Sequence, residues 1–252
     1  MEWRENDGGR WLEAELPGAR AAFSTRLGGV SEPPFDSLNL GLLTDDDPGA
    51  VGENRLRLLG ALGFEPGHVA YARQVHGADL LTHTESPQHS FAAHGAGKSH
   101  GDPPEADGHV LDEPGMAALV FVADCLPVVL VGPGRVAMLH CGWRGLAAGI
   151  VAKGAEAVGA TAAAIGPGIG PCCFEVGPEV LDAFSGLGDG IAAGRMLDLA
   201  EVARRLLERA GVAEVETAEL CTSCNPDLFF SHRRDAGRTG RQAGIAWIEE
   251  AA

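Results

Sequence analysis

RVAMLHCGWRGLAAGI, residues 135–150, is the stretch on which both the fold and the site turn. Val136 to Leu139 make the short apolar run of a buried strand, and the small and apolar residues from Leu146 onward suit a helix. Between them, His140, Cys141, Trp143 and Arg144 bring an imidazole, a thiol, an indole and a guanidinium together at the join. A plain connector needs none of these groups, whereas a binding site could use all four.

The flanking sequence carries further strand and helix signals. Apolar runs at 117–123 and 127–131 read as two strands ahead of the one at 135–140, and a helix starts near 144. Downstream, EVLDAF and LDLAEVARRLLERAGV read as helices and GIAWIEE as a last strand. Upstream, residues 1–45 read as strand-rich, with AAFSTRLGGV and LNLGLL separated by the turn SEPPFDS. DDDPGAVGENRLRLLGALGF predicts an acidic turn entering a helix that places Leu56, Leu59 and Leu62 on one face. HVAYARQVHGADLLTH predicts two strands with a polar interruption, and 84–106 a flexible segment rich in Gly, Pro, Ser and His. The mixture lacks the strict βαβ rhythm of a doubly wound sheet. With no repeat and no linker in view, residues 1–252 are expected to form a single mixed α/β (α+β) domain.

Composition limits the function classes. Hydrophobic residues make up 45% and charged residues 21%, enough apolar sequence for a sizeable core. Nineteen Lys and Arg against 35 Asp and Glu give a formal charge of −16, which argues against nucleic-acid or membrane partners. The longest apolar run, MAALVFVADCLPVVLVG, is broken by Asp124 and Pro127 and is short for a membrane span. The start, MEWRENDGGRW, has no basic stretch followed by an apolar core, so the six cysteines are expected to be reduced thiols in a cytoplasmic protein. The composition does not decide between a monomer and a small homo-oligomer.

Three residues beside apolar strands stand out: His76 in RQVHG, Cys125 in ADCLP and His140 in LHCGW. Their wide spacing is unlike a zinc finger and suits ligands delivered from separate strands. Two imidazoles and a thiolate leave one metal position open, the mark of a catalytic rather than a structural site. Hydrogen-bonded core histidines are the alternative. Strand alternation turns Cys141 away from His140, and Asp124 away from Cys125. His83, His89, His94, His100 and His109 fall in or near the flexible segment and read as solvated. Cys172-Cys173, on the Gly-rich turn IGPGIGPCCFEVG, reads as a nucleophile or as two buried thiols. Cys221-x-x-Cys224 lacks a second CxxC and the βαβ context of a thioredoxin, and so counts for little as a zinc ribbon or a redox pair. Arginines gather at Gly-rich turns, among them Arg26, Arg73, Arg144, Arg233 and Arg241. In an acidic chain these suggest either a local anion pocket or surface ion pairs. The GxSxG, GxxxxGK[ST] and HExxH signatures are absent.

FSTRLGGVS, SLNLG, RQVHG, ADG, ADCLPVVL, LHCGWRGLAAGIV, IGPGIGPCCFEVG and FFSHRRDAGRTGRQAG follow one another from residue 23 to 244. On these blocks the chain resembles the bacterial laccase-domain proteins, also called the multicopper polyphenol oxidase or peptidoglycan editing factor family. The resemblance implies a four-layer α/β/β/α sandwich like that of a cysteine-hydrolase toxin domain. It also implies one Zn2+ held by His76, Cys125 and His140. The family is described as purine nucleoside enzymes, active in phosphorolysis of adenosine, inosine, guanosine and methylthioadenosine and in adenosine deamination. The expected partners are therefore purine nucleosides and phosphate. Arg26, Arg73 and Arg144 are candidates for phosphate or ribose contacts, Asn39 for a substrate hydrogen bond and Asp107 for a proton carrier. Cys141 stands where the family usually has Ala, and Cys224 lies outside its pattern. Rival readings are copper-dependent phenol oxidation, a cysteine hydrolase acting on peptidoglycan precursors with Cys125 as nucleophile, and a binding protein with a structural metal.

Overall fold

The computed structural model describes residues 1–85, 91 and 103–250. Most of the segment expected to be flexible, including His89, His94 and His100, lies outside the described residues. The chain opens with β1 (Glu2–Asn6), β2 (Gly9–Leu16) and β3 (Ala19–Ser24), then α1 (Pro48–Leu62), β4 (Val69–Ala70), β5 (Leu80–His83) and β6 (Gly108–Leu111). A central run follows: β7 (Ala117–Val122), β8 (Leu126–Gly132), β9 (Arg135–Cys141), α2 (Trp143–Ala147), α3 (Ile150–Val158) and β10 (Ala162–Ile165). The last third holds α4 (Pro178–Ala183), β11 (Ala192–Ala193), β12 (Met196–Leu197), α5 (Leu199–Arg209), β13 (Glu214–Thr217) and β14 (Gln242–Ile248).

Two six-stranded sheets, ordered β1-β2-β3-β14-β7-β4 and β13-β10-β8-β9-β6-β5, stack face to face. Alternation along β8 and β9 shows why. Val129, Val131, Val136 and Met138 enter the core between the sheets with Phe23, Val120 and Ala246. Val128, Leu130, Leu139 and Cys141 face the other way, under Leu146, Ile150, Val202 and Leu207 of the helices. Strands buried on both faces read as continuous apolar runs, which is what VVLV and VAML show. On the far side α1 lays Leu58 and Leu59 over Leu119 and Ile245. The layers are therefore α/β/β/α, as the family resemblance implies, and Cys141 faces the helices as alternation requires.

Helix α1 starts where DDDPG predicts. The Asp47 carboxylate caps the Ala50 N–H at 2.8 Å, Pro48 opens the first turn, and Gly63 closes the last turn in the left-handed conformation. Its buried face differs from the expected leucine stripe. Leu56 is exposed, and the inward positions are Val51, Asn54, Arg55, Leu58 and Leu59. The polar pair is inward because the loop at 37–41 replaces the expected strand LNLGLL and needs donors. Asn54 Nδ2 donates to the Ser37 and Asn39 carbonyls, and Arg55 Nε to the Leu40 carbonyl.

The expectation of solvated histidines fails at His109. It sits fully buried in β6, its Nδ1 3.0 Å from Nε2 of His83, and its Nε2 has no hydrogen-bond partner. Burial, helped by His83, holds the His109 pKa down to about 3. The ring is thus neutral in the fold and takes a proton on unfolding below the ordinary histidine pKa of about 6.5. Stability present above that pH should decline as pH falls from about 6.5 toward 3, by on the order of 1 kcal/mol per pH unit. Denaturant unfolding at a series of pH values should show a shallower decline for His109→Gln than for the parent; parallel curves contradict the assignment.

Candidate active site and metal centre

His76, Cys125 and His140 arrive from three places and meet. His76 lies in the loop between β4 and β5, Cys125 in the turn between β7 and β8, and His140 near the end of β9. Their ligand atoms all lie within 4.8 Å of one another. The imidazoles stand edge to face with centroids 4.8 Å apart. Gly142 makes room: a Cβ there would come within 3.0 Å of Cys125 Sγ and 3.2 Å of His76 Cδ2. Among the described residues the group holds no fourth protein donor, and all three members line one cleft of about 1040 Å³.

Asp107 holds this arrangement from behind. One carboxylate oxygen accepts the Val75 and Gly77 N–H groups at 3.1 and 2.7 Å. The other accepts the His76 N–H at 2.9 Å and lies 2.8 Å from Nδ1 of His140. His76 adopts φ of +60°, a conformation a β-carbon disfavours, and these N–H bonds hold it there. Because Nδ1 of His140 is engaged by Asp107, Nε2 is left for the ion. The Gln74 side chain anchors the same loop, exchanging hydrogen bonds of 2.8 and 2.7 Å with the Phe121 backbone. Asp124, also at positive φ, is fixed on the other side by Thr222 Oγ1 at 2.6 Å and the Arg233 N–H at 2.7 Å.

The charges fit a thiolate centre. Burial raises the Cys125 pKa, but His140 and His76 outweigh it and bring the thiol down to about 6. Burial disfavours charge on His140, yet Cys125 and Asp107 carry it up to about 9. For Asp107, burial is overcome by His140 and the loop N–H groups, which hold it down to about 2. These shifts favour a thiolate–imidazolium pair, Cys125 with His140, beside the Asp107 carboxylate. Two imidazoles and a thiolate suit zinc or copper.

Of the other predicted residues, Arg73 and Arg144 line the cleft. Arg73 pairs with Glu105, while Arg144 lies over the Trp143 ring, 4.5 Å from its centroid. Asn39, Arg26 and Asp107 do not line it. Asn39 is fully buried, donating to Thr44 and Asp46 and accepting from the Gly41 and Arg241 N–H groups, so no valence remains for a substrate. Arg26 is engaged by Asp36, the Pro226 carbonyl and the Phe230 ring. Asp107 is fully buried and lies 2.8 Å from Nδ1 of His140, so it contacts that ring and not the open cleft.

Comparison with known proteins agrees with this architecture. The sequence model of a family described as multi-copper polyphenol oxidoreductase laccase matches residues 20–249. The chain belongs to this laccase-domain family. "Purine nucleoside phosphorylase YfiH" of Escherichia coli (strain K12) is 38% identical over 244 residues, covering 92% of this chain and 94% of that protein. A protein of the same descriptive name from Streptomyces coelicolor is 37% identical, covering 92% and 96%. Among solved structures, YlmD of Geobacillus stearothermophilus superposes with a TM-score of 0.83 at 36% identity, covering 98% and 99%.

In this laccase-domain chain the cleft also contains Tyr71, Phe121, Phe174 and Arg55, to which the sequence reading gave no role, beside residues it noted only as part of a group. Tyr71, Phe121, Trp143 and Phe174 supply aromatic faces, and Arg55, Arg233 and Arg241 add positive charge. Arg55 lies among Tyr71, Phe91 and Phe121, and burial lowers its pKa to about 10, so it remains charged at neutral pH. The arginines at 233 and 241 were visible as a cluster, but no local pattern distinguishes them from the neighbouring Arg234 and Arg238. Asp107→Asn should weaken divalent-metal affinity about 10- to 100-fold while the chain stays folded. Competition with a chromogenic chelator measures this; unchanged affinity would remove the orienting role.

Proposed function

We propose that this chain is a cytoplasmic, single-domain, zinc-dependent purine nucleoside phosphorylase acting on adenosine, inosine, guanosine and methylthioadenosine, with adenosine deamination as a second activity. One observation carries the reading: a two-imidazole, one-thiolate trio opens into a cleft whose walls carry both arginine and aromatic side chains. The relatives' names agree with the phosphorolysis of purine nucleosides. The donor set fits zinc: Asp107 fixes one ring tautomer, and two imidazoles with one thiolate leave a tetrahedral ion one open position.

In phosphorolysis a phosphate oxygen bonds to the anomeric carbon as the bond to the purine nitrogen breaks, leaving sugar phosphate and free base. Arg144 and Arg233 present guanidinium groups to the phosphate, each stacked on its own ring, Trp143 and Phe174. The aromatic faces hold the base and exclude water from the bond being broken. Arg55 and Arg241 lend positive potential to the wall without leaving their carbonyl partners. The departing base takes a proton, and His232 is the cleft imidazole outside the metal group. Zinc, when held by His76, Cys125 and His140, supplies Lewis acidity toward a substrate heteroatom or a water molecule.

One feature favours a second reading. Cys125 with His140, and His140 with Asp107, form the order of a nucleophile, base and orienting carboxylate. This is the geometry a cysteine hydrolase editing peptidoglycan precursors needs. The two readings separate on the thiol: zinc occupies it, whereas a nucleophile is free to react with iodoacetamide.

Purified protein should release hypoxanthine from inosine with phosphate and much less without it. His140→Ala should lose both its zinc and its turnover; a zinc-free variant with full turnover defeats the proposal. Arg144→Ala should raise KM for phosphate by about 10- to 100-fold, the loss expected for a hydrogen bond to a charged group. An unchanged KM would take Arg144 out of the phosphate site.

A further inference from the structure

A second sulfur-rich cluster lies on loops that border the cleft. Cys172 and Cys173 sit on the turn that follows Gly170, and Cys221 and Cys224 on the turn after β13. Cys172 and Cys224 are 52 residues apart, yet their sulfurs approach to 3.3 Å; Cys173 and Cys224 approach to 3.4 Å. All four sulfurs lie within 4.8 Å of one another. Bonds of about 2.3 Å to a tetrahedral zinc place its sulfurs about 3.8 Å apart, inside that range.

We propose that Cys172, Cys173, Cys221 and Cys224 form a second, structural metal site, a tetrathiolate centre for zinc. Packing does not account for the convergence. Cysteine is among the most buried residue types, yet Cys172 and Cys224 are exposed and the other two only half-buried. The four sulfurs gather about one point instead of separating into two pairs. Adjacent cysteines diverge on a strand, but this pair sits on a turn where both the Cys173 and Phe174 N–H groups bond to the Gly170 carbonyl. The turn itself is fitted to the sulfurs. The Gly170 N–H donates to Cys221 Sγ at 3.2 Å, and a Cβ on Gly170 would stand 3.4 Å from Cys172 Sγ. The guanidinium of Arg233, bonded to the Cys173 and Glu175 carbonyls at 3.4 and 2.9 Å, braces the turn that carries Cys172 and Cys173.

The site joins the two loops that shape one side of the cleft. The first carries Ile169 and Phe174. The second carries Thr222, which holds Asp124 beside Cys125. A closed four-sulfur site has no position for substrate, so its effect is on the wall's rigidity.

The test is metal content and spectroscopy, neither of which depends on turnover. Protein purified under reducing conditions should hold a second equivalent of zinc beyond the His76–Cys125–His140 ion. His140→Ala should retain one equivalent, and cobalt loaded into that variant should show the intense visible bands of a tetrahedral tetrathiolate. The double variant Cys172→Ser/Cys224→Ser should lose one equivalent, with its fold followed by circular dichroism. Should the double variant fail to fold, the cobalt spectrum of His140→Ala decides. The proposal is overturned if His140→Ala binds no zinc or cobalt, or gives a cobalt spectrum without thiolate bands. A native intact mass showing disulfides among these four cysteines overturns it equally.

Discussion

The bonds made by Asp107 are the constraint on which the rest of the centre depends. Three backbone N–H groups and one imidazole converge on a single carboxylate that has no solvent exposure. Removing a charge from water is costly unless hydrogen bonds replace the lost hydration, and here four do. The same bonds fix the strained backbone at His76, the tautomer of His140 and the distance between the two rings. The main chain adds to this, since the His140 N–H donates to the Asp107 carbonyl at 2.7 Å. A small acid at the start of β6 thus spans the loop from one sheet and the strand of the other.

Behind the cleft rim, polar hubs serve loops that no strand supports. Asn54 and Ser31 tie α1 to the segment at 30–39, and Asn39 links Gly41 to Arg241 across the chain. A buried amide with every valence engaged rigidifies what it touches, because breaking one bond strands a desolvated group. Gly41 and Arg241 are on the cleft wall, so Asn39 supports the pocket although it never enters it. Arg26 does the same for the loops at 36 and 226 through its backbone acceptors. Side chains that read as substrate contacts in sequence become supports once their partners are visible.

How much was legible follows from which interactions are local. The strands at 117–123, 127–131 and 135–140 are runs whose hydrophobicity reports burial on both faces, and they were readable. The metal trio was readable because its members flank those strands and family blocks reinforce the choice. Asn54 and Arg55 were missed because a helical period predicts leucines inward and gives no sign that loop carbonyls need donors. His109 was missed because neighbouring loop histidines suggested solvent, whereas its own place in β6 buries it between Met138 and Leu81 partners. Arg144 and Arg26 look alike in sequence; only the fold shows that one guanidinium opens on the cleft and the other is spent on carbonyls.

The two sulfur-containing clusters follow opposite construction rules, and this explains why sequence reading found one and not the other. At His76, Cys125 and His140, each ligand is delivered by a different element, so the sheets fix their separation before any ion binds. Three rigid donors facing a cleft leave space on one side. At Cys172, Cys173, Cys221 and Cys224, all four donors sit on two turns, held by short backbone bonds and able to close around a point. The rule that neighbouring side chains point apart, sound for Cys141 beside His140, fails for Cys173 beside Cys172 because a turn reverses direction within the pair. A search for a second CxxC therefore overlooks a CC pair that supplies the same two sulfurs. An open set of three belongs where a substrate must approach, and a closed set of four where loops must be held together. Asp124 connects the two, since it precedes Cys125 and accepts from Thr222, which follows Cys221, and from the Arg233 N–H.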